Sequence, residues 1–230
     1  MLGGRYALAD EAALERYWTI DRRSGNPLPE RFNVAPSTLV PVLFRAEDGA
    51  LELSAARWGL IPAWWTQAKL PSATINARSE EVAVKPMWRQ SYRRSRCLMP
   101  ARGWYEWRVR PGGESSGGRP GKQPYFIHAT GSPVIAFAGL LAHWQAPDGA
   151  AVLSCALLTR AAAPAIADIH DRMPLVLSPA DYEAWLAAEQ RPEVLTRLLA
   201  GAREDFQGYP VSTRVNDPRN DFPELLEDLS

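Results

Sequence analysis

Cysteine is almost missing from this 230-residue sequence: Cys97 and Cys155 stand far apart, with no CxxC spacing. That excludes a disulfide framework and argues against a zinc site, so no metal and no cofactor is expected. Reduced thiols fit a cytoplasmic location. Long apolar runs are also lacking. No stretch reaches the roughly 18 apolar residues of a membrane span, and no apolar run follows a basic start, so neither export nor anchoring is expected. Net charge is the third absence, because 26 basic residues balance 26 acidic ones. There is no global electrostatic case for nucleic acid, and any such case must rest on where the charges lie.

Hydrophobic residues make up 46% of the chain, enough to bury a sizeable core, and the length suits one domain over residues 1–230. Twenty prolines and 16 glycines favour many short elements over a bundle of long helices. Charge is unevenly placed. Between Asn76 and Arg110 there are nine basic residues and three acids, while the tail from Asp217 is acidic. Arginine dominates the cations, and guanidinium suits phosphate. We therefore expect the run from Arg78 to Arg110 to face one groove.

The spacing of Leu14, Tyr17 and Trp18 predicts a helix over 10–20 capped by Asp10. Runs at 39–44 and 51–58, separated by Asp48-Gly49, predict a hairpin. Further strands are expected at 96–100, 104–108, 124–129, 134–140, 151–159 and 175–177. Helices are expected at 86–94, 164–169, 179–188 and 192–199, each with proline in its first turn. The glycine-rich run 111–122 reads as a mobile hairpin loop. The fold class is α+β, mainly antiparallel, since strands do not alternate with long helices.

Glu106 lies in Gly103-Trp104-Tyr105-Glu106-Trp107. In a strand it shares a face with Trp104 and Arg108, and indole neighbours strip its hydration, which raises a carboxyl pKa toward acid–base use. Taken alone, its commoner reading is a surface acid paired with Arg108. His170 sits between Asp168 and Asp171-Arg172. Those acids should favour the imidazolium and suit a proton donor, although a solvated loop histidine fits too. Asn76 and Arg78 fall on one face of an extended stretch, an amide beside a guanidinium that can hold a carbonyl and a phosphate. Trp64-Trp65 offers rings for stacking on bases or for ordinary packing. Cys97 and Cys155, flanked by apolar residues, read as inert buried thiols.

Taken in order, Gly4-Arg5-Tyr6, Arg31 to Pro36, Trp58 to Pro62, Ile75 to Glu80, Arg96 to Ala101, Gly103 to Trp107 and His170 to Pro174 closely resemble the SRAP family, the SOS response-associated peptidase or abasic-site processing proteins. The resemblance implies twisted antiparallel sheets forming an open barrel-like core, with short peripheral helices and a DNA groove. It implies action on single-stranded or junction DNA at abasic sites in the DNA damage response, with no obligate protein partner evident. In the family an N-terminal cysteine, freed by removal of Met, condenses through its α-amine with the lesion's aldehyde, and its thiol closes a thiazolidine. Asn76, Glu106 and His170 would orient that residue and move protons. Arg5 and Arg78 would contact phosphate, and Trp64 and Trp65 would lie against the DNA, with Trp65 stacked near the lesion. The sequence departs at one point: Gly3 stands where the cysteine belongs. Lyase or hydrolase chemistry with covalent capture is the first reading, and noncovalent binding of single strands the alternative. A metabolite hydrolase using the same acid and histidine is a third class.

Overall fold

The computed structural model describes residues 4–9, 11–24, 28–67, 69–114 and 120–230. Twelve strands and four short helices are described, in the order β1 (Arg5–Ala7), α1 (Glu11–Glu15), β2 (Arg22–Ser24), β3 (Leu39–Arg45), β4 (Leu51–Trp58), β5 (Asn76–Arg78), α2 (Pro86–Arg94), β6 (Arg96–Ala101), β7 (Gly103–Glu114), β8 (Pro120–Ala129), β9 (Ile135–Gln145), β10 (Ala151–Ala161), β11 (Arg172–Pro174), α3 (Tyr182–Leu186), α4 (Pro192–Ala200) and β12 (Phe206–Pro210).

Five strands close on themselves. β3 pairs antiparallel with β4 and with β6, β6 with β9, and β9 with β10. The ring is completed by a short parallel pairing of β10 with β4, Ser154 opposite Arg57 and Cys155 opposite Trp58. A second sheet, β1-β7-β8-β12, packs against this barrel. The alternation of side chains along a strand divides the core in two. Leu43, Leu53, Leu98, Leu140 and Leu158 face outward, under Trp88 and Tyr92 of α2, Trp185 of α3 and Leu195 and Leu198 of α4. Val40, Val42, Cys97, Met99, Phe137, Cys155 and Leu157 face inward, with Tyr6 and Trp104 of the second sheet. Each such fully buried side chain contributes about 1.5–3 kcal/mol relative to exposure.

Several sequence expectations change here. The helix expected at 10–20 is shortened to Glu11–Glu15, since Trp18 turns into the core and stacks on Tyr182; its cap, Asp10, lies outside the described residues. The strand expected at 175–177 is Arg172–Pro174, because the edge of β10 pairs there, and Val176 keeps one bridge to Phe137. Expected helices at 164–169 and 179–188 begin as single 3-10 turns at Pro164 and Pro179. The β7–β8 ladder reaches Glu114 opposite Pro120, so the run 111–122 is largely strand, with 115–119 outside the described residues. The acidic C-terminal segment is not a loose tail: Val215 and Leu225 are buried against Tyr105 and Phe126.

The basic run does not face one groove. Arg96 is buried, donating to the carbonyls of Trp185 at 2.7 Å, Tyr92 at 2.6 Å, and also of Ala187. Burial draws its pKa down to about 10, so it stays charged and ties the ends of α2 and α3 to the barrel. Arg102 pairs with Glu30, and Arg108 with Asp168 at 3.2 Å.

Candidate functional site

The site forms where the second sheet meets the barrel. β1 runs beside β7 with Arg5 opposite Tyr105 and Tyr6 opposite Trp104. Alternation then sends Trp104 and Glu106 one way and Tyr105 and Trp107 the other, as the sequence suggested. Tyr105 enters the third core cluster and its hydroxyl donates to the Phe32 carbonyl at 2.7 Å. Glu106 is 1% exposed, which removes the surface-acid reading, and Arg108 has turned to Asp168 instead. On the barrel side, β5 pairs parallel with β10 and sets Asn76 opposite Leu157.

These elements enclose a cavity of about 10 Å³ lined by Gly4, Arg5, Tyr6, Asn76, Trp104 and Glu106, with Trp58, Phe137, Leu157 and Pro174 among its walls. Gly4 has φ +58°, and a Cβ there would lie 3.1 Å from Ile75 and 3.2 Å from Pro36. Only glycine enters the site comfortably in that left-handed conformation.

His170 reaches Glu106 from the loop before β11, its Nε2 3.9 Å from Oε2 of Glu106. Its Nδ1 accepts from the backbone N–H of Arg172 at 3.0 Å. The same Nδ1 lies 3.2 Å from the Arg172 carbonyl and 3.1 Å from Asp171 Oδ1, so either tautomer finds a partner there while Nε2 faces the carboxylate. The sequence expectation of an imidazolium is corrected. Burial is the largest influence and lowers the His170 pKa below its ordinary value, outweighing Asp171, whose side chain is 88% exposed and screened by water. The charge of Lys122 also opposes protonation. A carboxylate and an imidazole so placed can pass a proton through one bridging atom.

The other predicted residues divide. Arg5 lines the cavity, but its Nη1 donates to Asn33 Oδ1 and to the Val215 carbonyl, both at 3.0 Å. Arg78 is exposed and forms no ion pair among the described residues. Trp64 is exposed, whereas Trp65 is held on the backbone side: its Nε1 donates to Lys69 O at 3.1 Å and its carbonyl accepts from Trp144 Nε1 at 2.8 Å. None of these three lines the cavity. Gly3 lies outside the described residues. Both thiols are buried in the barrel and burial raises both pKa values, so neither serves the site.

Two supporting residues escaped sequence reasoning. Asn33, fully buried, donates to the carbonyls of Val215, Asp217 and Asn220 while accepting from Arg5, and so joins the C-terminal segment to the site. Arg172 holds Glu80 through two contacts of 2.6 and 3.0 Å and also reaches Thr159, fastening the segment after Asn76 to the segment carrying His170. Both lie in sequence blocks already singled out, but nothing local says which partner they take.

A closed barrel flanked by a second sheet, with a buried acid–histidine pair at their junction, defines a class of protein rather than a scattered set of motifs. The profile of the family described as SOS response associated peptidase (SRAP) matches residues 2–218. The chain belongs to the SRAP family. It is 36% identical over 200 residues to the abasic site processing protein YoqW of Bacillus subtilis (strain 168), covering 85% of each chain. It is 33% identical over 201 residues to the abasic site processing protein YedK of Escherichia coli (strain K12), covering 86% of this chain and 84% of that one. Among solved structures, a Bacteroides thetaiotaomicron protein superimposes with a TM-score of 0.80 at 21% identity over 99% of this chain and 100% of its own, a likeness of fold. A phage-related protein of Bordetella bronchiseptica gives 0.69 at 30% identity, covering 91% of this chain and 94% of that one.

Proposed function

We propose that this protein binds single-stranded or junction DNA at abasic sites and processes them, with Glu106 and His170 as its proton-transfer pair and Asn76 orienting the reacting group. The observation that carries the reading is the 3.9 Å approach of His170 to the buried Glu106 beside a small cavity. The family's relatives named for abasic-site processing supply the substrate class. An abasic site presents an aldehyde when its sugar opens. An amine condenses with it to an imine and releases water, and a positioned acid–base pair speeds the proton transfers.

Gly3 stands at the position that the resemblance gives to cysteine, and Cys97 and Cys155 are buried, so the proposed chemistry forms the imine without closing it to a thiazolidine. Elimination of the 3′ phosphate from that imine cleaves the strand. The amine is the chain's α-amine or Lys122, whose charge is felt at His170. The test uses an oligonucleotide with one abasic site and an intact control. Borohydride should trap a protein–DNA adduct on the abasic strand alone, and without reductant the adduct should not survive a denaturing gel; peptide mapping then locates the amine. Tight retention with neither adduct nor cleavage would establish a noncovalent binder instead. No affinity for either strand would return the pocket to small-metabolite hydrolysis.

A further inference from the structure

Buried donors and acceptors almost always find partners, and those that do not within the protein point to a ligand. Among the described residues, Tyr6 Oη, Trp104 Nε1 and Asn76 Oδ1 are buried side-chain atoms with no hydrogen-bond partner. All three residues line the one cavity that Glu106 also lines. Tyr6 is 1% and Trp104 2% exposed. The other indole of the cavity, Trp58, is already satisfied, donating to Ile75 O at 2.9 Å. The groups left over comprise one pure donor, one pure acceptor and a hydroxyl that serves as either. That set matches a single water, which accepts from Trp104, donates to Asn76 and takes either role toward Tyr6. The cavity, at about 10 Å³, meets the lower limit for one water, roughly 10 Å³. Burial holds the tyrosine neutral, so its proton remains available for the hydrogen bond.

We infer that Tyr6, Trp104 and Asn76 form a binding site for one water molecule, and that this water is the reactant that hydrolyses the covalent imine. The role, though not the site, rests on the proposed abasic-site reading. The step balances from the protonated imine: the water oxygen bonds to its carbon, the C=N π pair moves to nitrogen, one water proton passes to Glu106, and a neutral carbinolamine results. Glu106 then gives that proton to the nitrogen, the carbon–nitrogen bond breaks with its pair going to nitrogen, and the hydroxyl proton returns to Glu106 as the C=O forms, leaving aldehyde and free amine. Tyr6 and Trp104 are positioning residues in this scheme, since they act through the water. Glu106 touches the reacting atoms.

Tyr6→Phe keeps the ring, which packs against Trp58 and Phe137 at 5.2 and 5.6 Å between centroids, and removes only the hydroxyl. A crystal structure of the free wild-type protein at about 1.2 Å resolution should show one oxygen within hydrogen-bonding distance, about 3.2 Å or less, of Tyr6 Oη and Trp104 Nε1. With abasic DNA, Tyr6→Phe should retain the first-turnover burst of strand cleavage. Its steady-state rate should fall by about tenfold or more, and trapped imine should accumulate. A merely structural hydroxyl would lower burst and steady state together. No oxygen at that place in the wild type overturns the site, whatever the protein does to DNA. Equal loss of both phases, or loss of neither, overturns the role. A wild-type protein inert to abasic DNA overturns the role along with the functional reading, while the density still judges the site by itself.

Discussion

Nε2 of His170 faces Oε2 of Glu106 across 3.9 Å, the histidine 18% exposed and the carboxylate 2% exposed at their side chains. The gap is too long for a direct hydrogen bond and right for one bridging atom. The pair joins two parts of the chain, a strand of the second sheet and the loop that feeds the barrel's edge strand.

Because burial depresses its pKa, His170 should be neutral at pH 7. A nuclear magnetic resonance titration should place its midpoint below 6.5. The sign for stability follows: between the folded and unfolded values the unfolded chain binds more protons, so stability rises with pH through that window and is lost as pH falls below 6.5. A midpoint above 6.5 would mean that Asp171, not burial, controls the ring.

Arg78 should contribute one phosphate contact. Arg78→Ala should weaken binding to all single strands alike and make the slope of log K against log salt shallower by about one. Arg102→Ala, which removes a side chain already paired with Glu30, should leave the slope unchanged. Equal effects from both would show that position is irrelevant and only net charge matters.

Arg96 belongs to the fold. Arg96→Ala strands the carbonyls of Tyr92, Trp185 and Ala187 and should cost at least about 3 kcal/mol in urea unfolding. A loss under about 1 kcal/mol would show that water replaces the guanidinium at the ends of α2 and α3.

Much of this was legible locally. The hairpin of β3 and β4 followed from Asp48-Gly49 between β-prone runs, α2 from Pro86, and the inward face of Glu106 from strand alternation beside Trp104. What stayed hidden depends on residues distant in sequence. The parallel pairing of β10 with β4 closes the barrel across about a hundred residues, and no turn signal announces it. His170 looked acidic in its surroundings because its neighbours in sequence are acids, whereas burial comes from elements it meets only on folding. Arg96 and Arg102 looked like groove residues for the same reason, and their partners Trp185 and Glu30 are about ninety and seventy positions away.

The proposed proton transfer by Glu106 is tested by single-turnover cleavage of an oligonucleotide with one abasic site. Glu106→Gln keeps the shape of the side chain and removes its titration. Its cleavage rate should fall by about 10² to 10⁴ with affinity for the same DNA unchanged. Cleavage by Glu106→Gln at the wild-type rate, or a loss of affinity that matches the loss of rate, would show that Glu106 is a structural residue and moves no proton in this reaction.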